Sequence, residues 1–134
     1  MTEDVTVRDA RPGDVEVVAD LADTPRAVAT RLLRERRVRV AEREGAVVGL
    51  LAYDATRSAV HLTRLAGDVE TVAALLAEPV AFARAEDLPV EAVVPEGEAG
   101  ARDAVAAAGF EDVGDGPRFE GERTRRYRLV VDDP

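Results

Sequence analysis

The spacing of apolar residues predicts that the chain begins with a strand and two helices. Thr6–Ala10 alternates between polar and apolar residues, as a half-buried strand does. Pro12 suits the first turn of a helix. Thr24 and Pro25 then predict the start of a second helix, with a hydroxyl cap and a first-turn proline. The first helix has its apolar residues at the three- and four-residue spacing of one helical face: Val15, Val18, Ala19 and Ala22.

From Arg37 onward the period changes to two, which predicts strands. Two runs rich in valine and leucine flank Glu44–Gly45 and indicate an antiparallel hairpin. A turn at Thr56–Ser58 then leads to a fourth strand over Ala59–Thr63. The three consecutive strands predict a meander.

The second half of the chain alternates helices with strands. Asp68 is a candidate cap for a long helix over Val69–Glu86. Pro79 predicts a kink in this helix or its division into two, since an interior proline costs about 3 kcal/mol. No repeat or linker interrupts the order, so we predict one mixed α/β domain over residues 1–134, with helices covering the sheet. The remaining predicted elements are a strand over Leu88–Val94, a helix over Glu98–Ala108, a strand starting at Glu111–Val113 and a last strand over Arg125–Val131.

Composition narrows the chemistry available to this domain. The absence of cysteine excludes disulfides and thiolate nucleophiles, and a single histidine with scattered carboxylates gives no metal-ligand spacing. The only serine, Ser58, lies in a predicted turn, which excludes a serine triad. The net charge of −9 disfavours nucleic acid and anionic membranes as partners. An acidic amino terminus without an apolar region predicts a cytoplasmic protein.

All 18 basic residues are arginine, and the chain has no lysine, asparagine, glutamine, isoleucine or tryptophan. A GC-rich genome explains this usage, because the codons of lysine, asparagine and isoleucine are AT-rich. Acidity combined with arginine in place of lysine also suits a protein of an extreme halophile, in which surface carboxylates keep the protein hydrated. Both explanations stay open.

Two segments carry a resemblance to a known family. Near the end of the chain, Ala106–Gly114 is typical of a helix that stops at Gly109, where a left-handed glycine closes the last turn and Phe110 enters the core. Near its beginning, Val7–Asp14 has the sequence Val-Arg-Asp-Ala-Arg-Pro-Gly-Asp. With these two ends the chain resembles the GNAT family of N-acyltransferases. The resemblance implies the GNAT-like acyl-CoA N-acyltransferase fold, with a central, mostly antiparallel sheet flanked by helices.

The resemblance also implies acetyl-CoA as co-substrate, bound where the fourth strand leads into the next helix. The family's loop has Arg or Gln, two residues, Gly, one residue, then Gly or Ala, so that backbone N–H groups can approach the pyrophosphate. Here Arg64 and Gly67 match, Val69 does not, and Asp68 and Glu70 add negative charge. The loop is therefore degenerate, and an ordinary strand-to-helix turn stays open as the alternative. By this resemblance the residues that border acetyl-CoA are Leu62, Thr63, Arg64, Ala66, Gly67 and Val69.

Acyl transfer to an amine needs a base for the amine proton and an acid for the leaving thiolate. His61, the only histidine, and Glu91, on the neighbouring predicted strand, are the candidate bases; a half-exposed strand histidine and a solvated carboxylate are the alternatives. The tyrosine that the family often uses as acid is absent from the helix before Gly109. The resemblance implies an acetyl-CoA-dependent N-acyltransferase for a small-molecule or peptide amine. A catalytically inactive ligand-sensing or protein-interaction module is the alternative, and the small sheet is compatible with a homodimer.

Overall fold

Seven strands form one sheet in the order β1-β2-β3-β4-β5-β7-β6. The computed structural model describes residues 5–118 and 121–130. The strands are β1 (Thr6–Asp9), β2 (Arg37–Arg43), β3 (Ala46–Ala55), β4 (Val60–Ala66), β5 (Val90–Pro95), β6 (Glu111–Asp115) and β7 (Thr124–Leu129). The helices are α1 (Val15–Ala22), α2 (Arg26–Glu35), α3 (Val69–Glu86) and α4 (Ala99–Ala107), and a short 3-10 turn spans Pro12–Asp14.

The sheet is antiparallel at every junction except the one between β4 and β5. This arrangement confirms the predicted mixed, mostly antiparallel sheet and its β2-β3-β4 meander. The parallel junction is short, with register pairs only at Val60–Val90, His61–Glu91 and Leu62–Ala92. Beyond the last pair, β4 remains paired with β3, and β5 remains paired with β7. The strands β4 and β5 no longer pair with each other there.

Neighbouring residues of the central strands face opposite sides of the sheet and pack under different helices. Leu51 and Leu65 belong to a larger core that includes Val72 of α3 and Val105 of α4. Leu50 belongs to a second core, which also contains α1 and α2 residues. The helices therefore flank the sheet on both faces, as predicted.

The predicted ends of the helices are confirmed in part. Asp68 caps α3, since its Oδ1 accepts a 2.8 Å hydrogen bond from the N–H of Thr71. Gly109 has a φ of 97° and Phe110 is buried, as the glycine stop predicted. The predicted Thr24 cap is wrong, because Pro25 is the N-cap of α2 and no side chain caps that helix.

Two further differences concern α3 and β7. The helix continues through the buried Pro79 as one element, so of the two alternatives predicted there, a kink and a division, the division is wrong. Val69, at the start of α3, is 42% exposed. The last strand ends at Leu129, and Val131 lies outside the described residues.

Candidate functional site

A cleft lies where β4 and β5 are no longer paired. A bulge precedes it in β4: Ala52 of β3 faces Arg64 and Tyr53 faces Leu62, so Thr63 is an extra residue. Bulges bend a strand locally, and this one coincides with the end of the β4–β5 pairing. The cleft is narrow, with about 20 Å³ open to the centre of a water molecule, and is lined by Leu21, Ala22, Leu50, Thr63, Arg64, Leu65, Ala66, Pro95 and Glu98.

Three of the residues that the resemblance assigned to acetyl-CoA line this cleft, namely Thr63, Arg64 and Ala66. The Thr63 hydroxyl donates a 3.3 Å hydrogen bond to the carbonyl of Ala52, which fixes its rotamer across the bulge. The side chain of Leu62 is buried in the core and is not part of the lining. Leu62 can therefore contribute only its backbone to a ligand in the cleft.

The two predicted bases lie side by side. His61 and Glu91 are register partners on β4 and β5, and His61 Nδ1 is 3.4 Å from Glu91 Oε1. Arg128 of β7 also approaches this carboxylate, with Nη1 3.5 Å from Oε2. Both side chains are part-exposed, at 37% for His61 and 42% for Glu91. They lie one pair before the end of the β4–β5 pairing, outside the cleft lining given above.

The resemblance placed the pyrophosphate at the first turn of α3. Side chains of the protein already form a hydrogen bond and an ion pair there. Asp68 accepts the N–H of Thr71, and Arg43 Nη1 lies 3.2 Å from Asp68 Oδ2. The hydrogen bond from the backbone N–H of Thr71 lowers the pKa of the Asp68 carboxyl, and Arg43 lowers it further. Glu70 lies 4.0 Å from the same arginine. This corner of the site therefore carries a carboxylate at neutral pH.

The first turn of α4 packs against that corner. Gly67 has a φ of 137°, a left-handed conformation that suits glycine. A Cβ on Gly100 would lie 2.6 Å from the Gly67 carbonyl oxygen and 3.1 Å from the Cα of Asp68. The backbones of the two helix starts therefore touch, and a side chain at Gly100 would force them apart.

Glu98 supplies a carboxylate to the cleft, although its sequence position predicts no such site. It stands at the N-cap of α4, but its side chain accepts no capping hydrogen bond. Burial raises the pKa of Glu98, and the negative charges of Glu122 and Asp23 raise it further. The sequence placed Glu98 as the first residue of a helix, where an acidic residue is common because of the helix dipole. Because this position is common for an acidic residue, the sequence did not indicate that Glu98 lines the cleft.

Within residues 5–118 and 121–130, no group of histidines and carboxylates is placed to hold a metal ion. No helix in that part of the chain is long and apolar enough to cross a bilayer.

Comparison by sequence finds no matching family model and no matching curated protein. Solved structures do match. Ard1 from Thermoplasma volcanium is 20% identical with a TM-score of 0.75, over 96% of this chain and 99% of that one. The ribosomal-protein-S18-alanine N-acetyltransferase from Escherichia coli is 13% identical with a TM-score of 0.73, over 98% and 96% of the two chains.

A third match is a GNAT family acetyltransferase from Elizabethkingia anophelis, solved with acetyl-CoA bound. It is 10% identical with a TM-score of 0.70, over 97% of this chain and 100% of that one. At such identities the likeness concerns the fold. Sheet order, the short β4–β5 junction and these three structures together show that the chain has the fold of the GNAT acetyltransferases.

Proposed function

We propose that this protein is an acetyl-CoA-dependent N-acyltransferase that acts on an amine of a small molecule or peptide. The observation that carries the proposal is the end of β4–β5 pairing after Leu62 and Ala92. On that side, the backbone of Thr63–Ala66 has no partner strand and borders the cleft. An extended ligand with amide groups can bond to such an edge as an added strand does. The pantetheine arm of acetyl-CoA has this character.

The inner cleft and the start of α3 differ in how well they fit acetyl-CoA. Thr63, Arg64 and Ala66 line a narrow cleft beside the unpaired edge of β4, along which an acyl-pantetheine chain would lie. At the start of α3, Asp68 already accepts the N–H of Thr71 and pairs with Arg43. A diphosphate would compete with Asp68 for the same donors, since anions bind at helix N-termini and arginine pairs with phosphate. Gly67 and Val69 would border the diphosphate only after the Asp68 carboxylate has released the N–H of Thr71 and Arg43.

Acetyl-CoA supplies the acyl group as a thioester, and the protein must take a proton from the acceptor amine. The described residues offer two candidate bases. One is the predicted pair His61 and Glu91, in which the carboxylate next to Nδ1 would orient the ring. The other is Glu98, inside the cleft lining.

A second candidate function is a ligand-sensing or protein-interaction module without transfer chemistry. Two observations favour it: Asp68 and Arg43 already pair at the start of α3, and the last helix, α4, has no tyrosine that could serve as the acid. In either case, the net charge of −9 leads us to expect neither nucleic acid nor an anionic membrane as partner.

Calorimetric titration with acetyl-CoA in molar potassium chloride tests the proposal, followed by an acetyl-transfer assay against a panel of amines. We expect binding and transfer to at least one amine. No binding at millimolar acetyl-CoA would end the transferase proposal. Binding without transfer to any amine would support the sensing module instead.

A further inference from the structure

Glu98 differs from two acidic residues near the site, Asp68 and Glu91, in what surrounds its carboxylate. Asp68 caps α3, and Glu91 lies beside His61 and Arg128. Among the described residues, no hydrogen bond or ion pair engages the Glu98 carboxylate, although the residue is only part-exposed. A part-buried carboxylate without a partner is costly to maintain for stability alone.

The charges around Glu98 are mainly negative. Asp23 follows α1, and Glu122 lies between β6 and β7; both raise the pKa of Glu98 after burial itself. Glu122 comes close to the turn before α4, since its Oε2 lies 3.2 Å from where a Cβ on Gly97 would be. Arg64 of β4 is the cation of the cleft lining, and it has interactions of its own. A positively charged ligand would therefore be favoured next to Glu98.

Resting on the proposed acyl transfer, we infer that Glu98 is the base that takes the proton from a cationic acceptor amine in the β4–β5 cleft. The acceptor enters as an ammonium and gives one proton to a carboxylate oxygen of Glu98. Its nitrogen then forms a bond to the acyl carbon while the carbon–sulfur bond breaks. The second nitrogen proton ends on the leaving thiolate, and Glu98 returns its proton to solvent.

The surroundings of Glu98 suit this task. A carboxylate is a weak base when fully solvated, and burial beside negative charges strengthens it, because both disfavour the ionised form. Glu98 lies in the lining with the unpaired edge of β4, where the thioester of an extended acyl-pantetheine would be held. His61 and Glu91, by contrast, lie outside that lining.

The test compares three variants with the unsubstituted protein: Glu98→Gln, Glu91→Gln and the matched control Glu96→Gln. Each is assayed for acetyl-CoA binding by calorimetry and for transfer of acetyl from acetyl-CoA to spermidine and to short peptides with a free amino group. For Glu98→Gln we expect kcat to fall about 100-fold or more, the usual size of a general-base effect. Its Kd for acetyl-CoA should stay within about twofold of that of the unsubstituted protein. The acidic limb of its kcat/KM pH profile should disappear.

The control Glu96→Gln should match the unsubstituted protein in all three measurements, because Glu96 is a neighbouring acid outside the cleft lining. Full activity and an unchanged pH profile in Glu98→Gln would overturn the inference. If Glu91→Gln alone loses activity, the base is the His61–Glu91 pair and the inference is overturned as well. Failure of the unsubstituted protein to bind acetyl-CoA or to transfer acetyl would instead refute the proposed function, and the inference with it.

Discussion

Arg8 connects three segments at the beginning of the chain through one guanidinium. It donates to both carboxylate oxygens of Asp14, at 2.8 and 3.0 Å, and also to Glu42. Asp14 accepts the N–H of Arg11 as well. The Arg8 side chain holds the pKa of Asp14 below its ordinary value, and the Arg11 N–H adds to this effect. Charge-assisted, two-pronged contacts of this kind are stronger than single surface ion pairs.

We predict that Asp14→Asn lowers the free energy of unfolding at pH 7 by about 1 to 2 kcal/mol. Because folding lowers the pKa of Asp14, its carboxylate stabilises the protein above the unfolded pKa, and this contribution is lost as pH falls through the folded pKa. The variant should therefore lose less stability than the unsubstituted protein between pH 5 and about pH 3. Urea unfolding at these pH values measures the difference. The control Asp103→Asn, at an exposed site on α4, should leave both the free energy of unfolding and its pH dependence unchanged.

At the scale of elements, the starts of α3 and α4 form one unit. Gly100 lets the two backbones touch, while Asp68 and Arg43 fasten the first turn of α3. The unit decides both how stable the two helices are and what can bind at their ends.

Gly100→Ala should destabilise the protein by about 1 to 3 kcal/mol, because the added methyl group would lie 2.6 Å from the Gly67 carbonyl and overpack the contact. Gly13→Ala is the control, since nothing lies within 4 Å of a Cβ at Gly13. Thermal and urea unfolding of both variants measure the effect. Equal stability of the two variants would show that the helix starts are not in contact.

Asp68→Asn should tighten acetyl-CoA binding, about fivefold for a charge effect of about 1 kcal/mol. Asparagine caps a helix nearly as well as aspartate, so the helix keeps its cap while one negative charge leaves the diphosphate corner. Asp68→Ala should instead cost about 1 kcal/mol of stability through the lost cap. Calorimetry measures the first effect and urea unfolding the second. Unchanged or weaker binding by Asp68→Asn would place the diphosphate elsewhere.

Most elements followed from the sequence because local chemistry marks their ends. Asp68 and Gly109 delimit helices through a cap and a left-handed residue, and both predictions are confirmed. Pro79 does not divide α3, which runs on as one helix with this proline buried, and burial of a single residue is not marked by the local sequence pattern. The cleft could not be predicted from the sequence for a similar reason. Nothing in the sequences of β4 and β5 marks Leu62 as the last paired residue. Without a predicted cleft, Glu98 could not be recognised as one of its lining residues.

At the scale of the molecule, acidic residues outnumber basic ones, 27 to 18. Arginines pair with acids at many surface positions, for example Arg125 with Asp112 and Asp115. These pairs leave an excess of negative charge that opposes compaction.

We predict that the unfolding midpoint rises between low and molar potassium chloride. Salt at about 1 M shortens the screening distance to about 3 Å and so weakens repulsion among the excess carboxylates. Thermal unfolding at both salt concentrations measures the shift. Equal midpoints would contradict the halophile hypothesis and leave GC-rich codon usage as the explanation for the arginines.

The β4–β5 junction divides the sheet into a part with β1 to β4 and a part with β5, β7 and β6. Three register pairs join the two parts, whereas seven join β2 to β3. A ligand that forms hydrogen bonds to both β4 and β5 would add to the few bonds at this junction. It would therefore restrain the two parts of the sheet relative to each other. Amide hydrogen exchange should then slow on ligand binding as far away as β7, well beyond any residue that the ligand contacts.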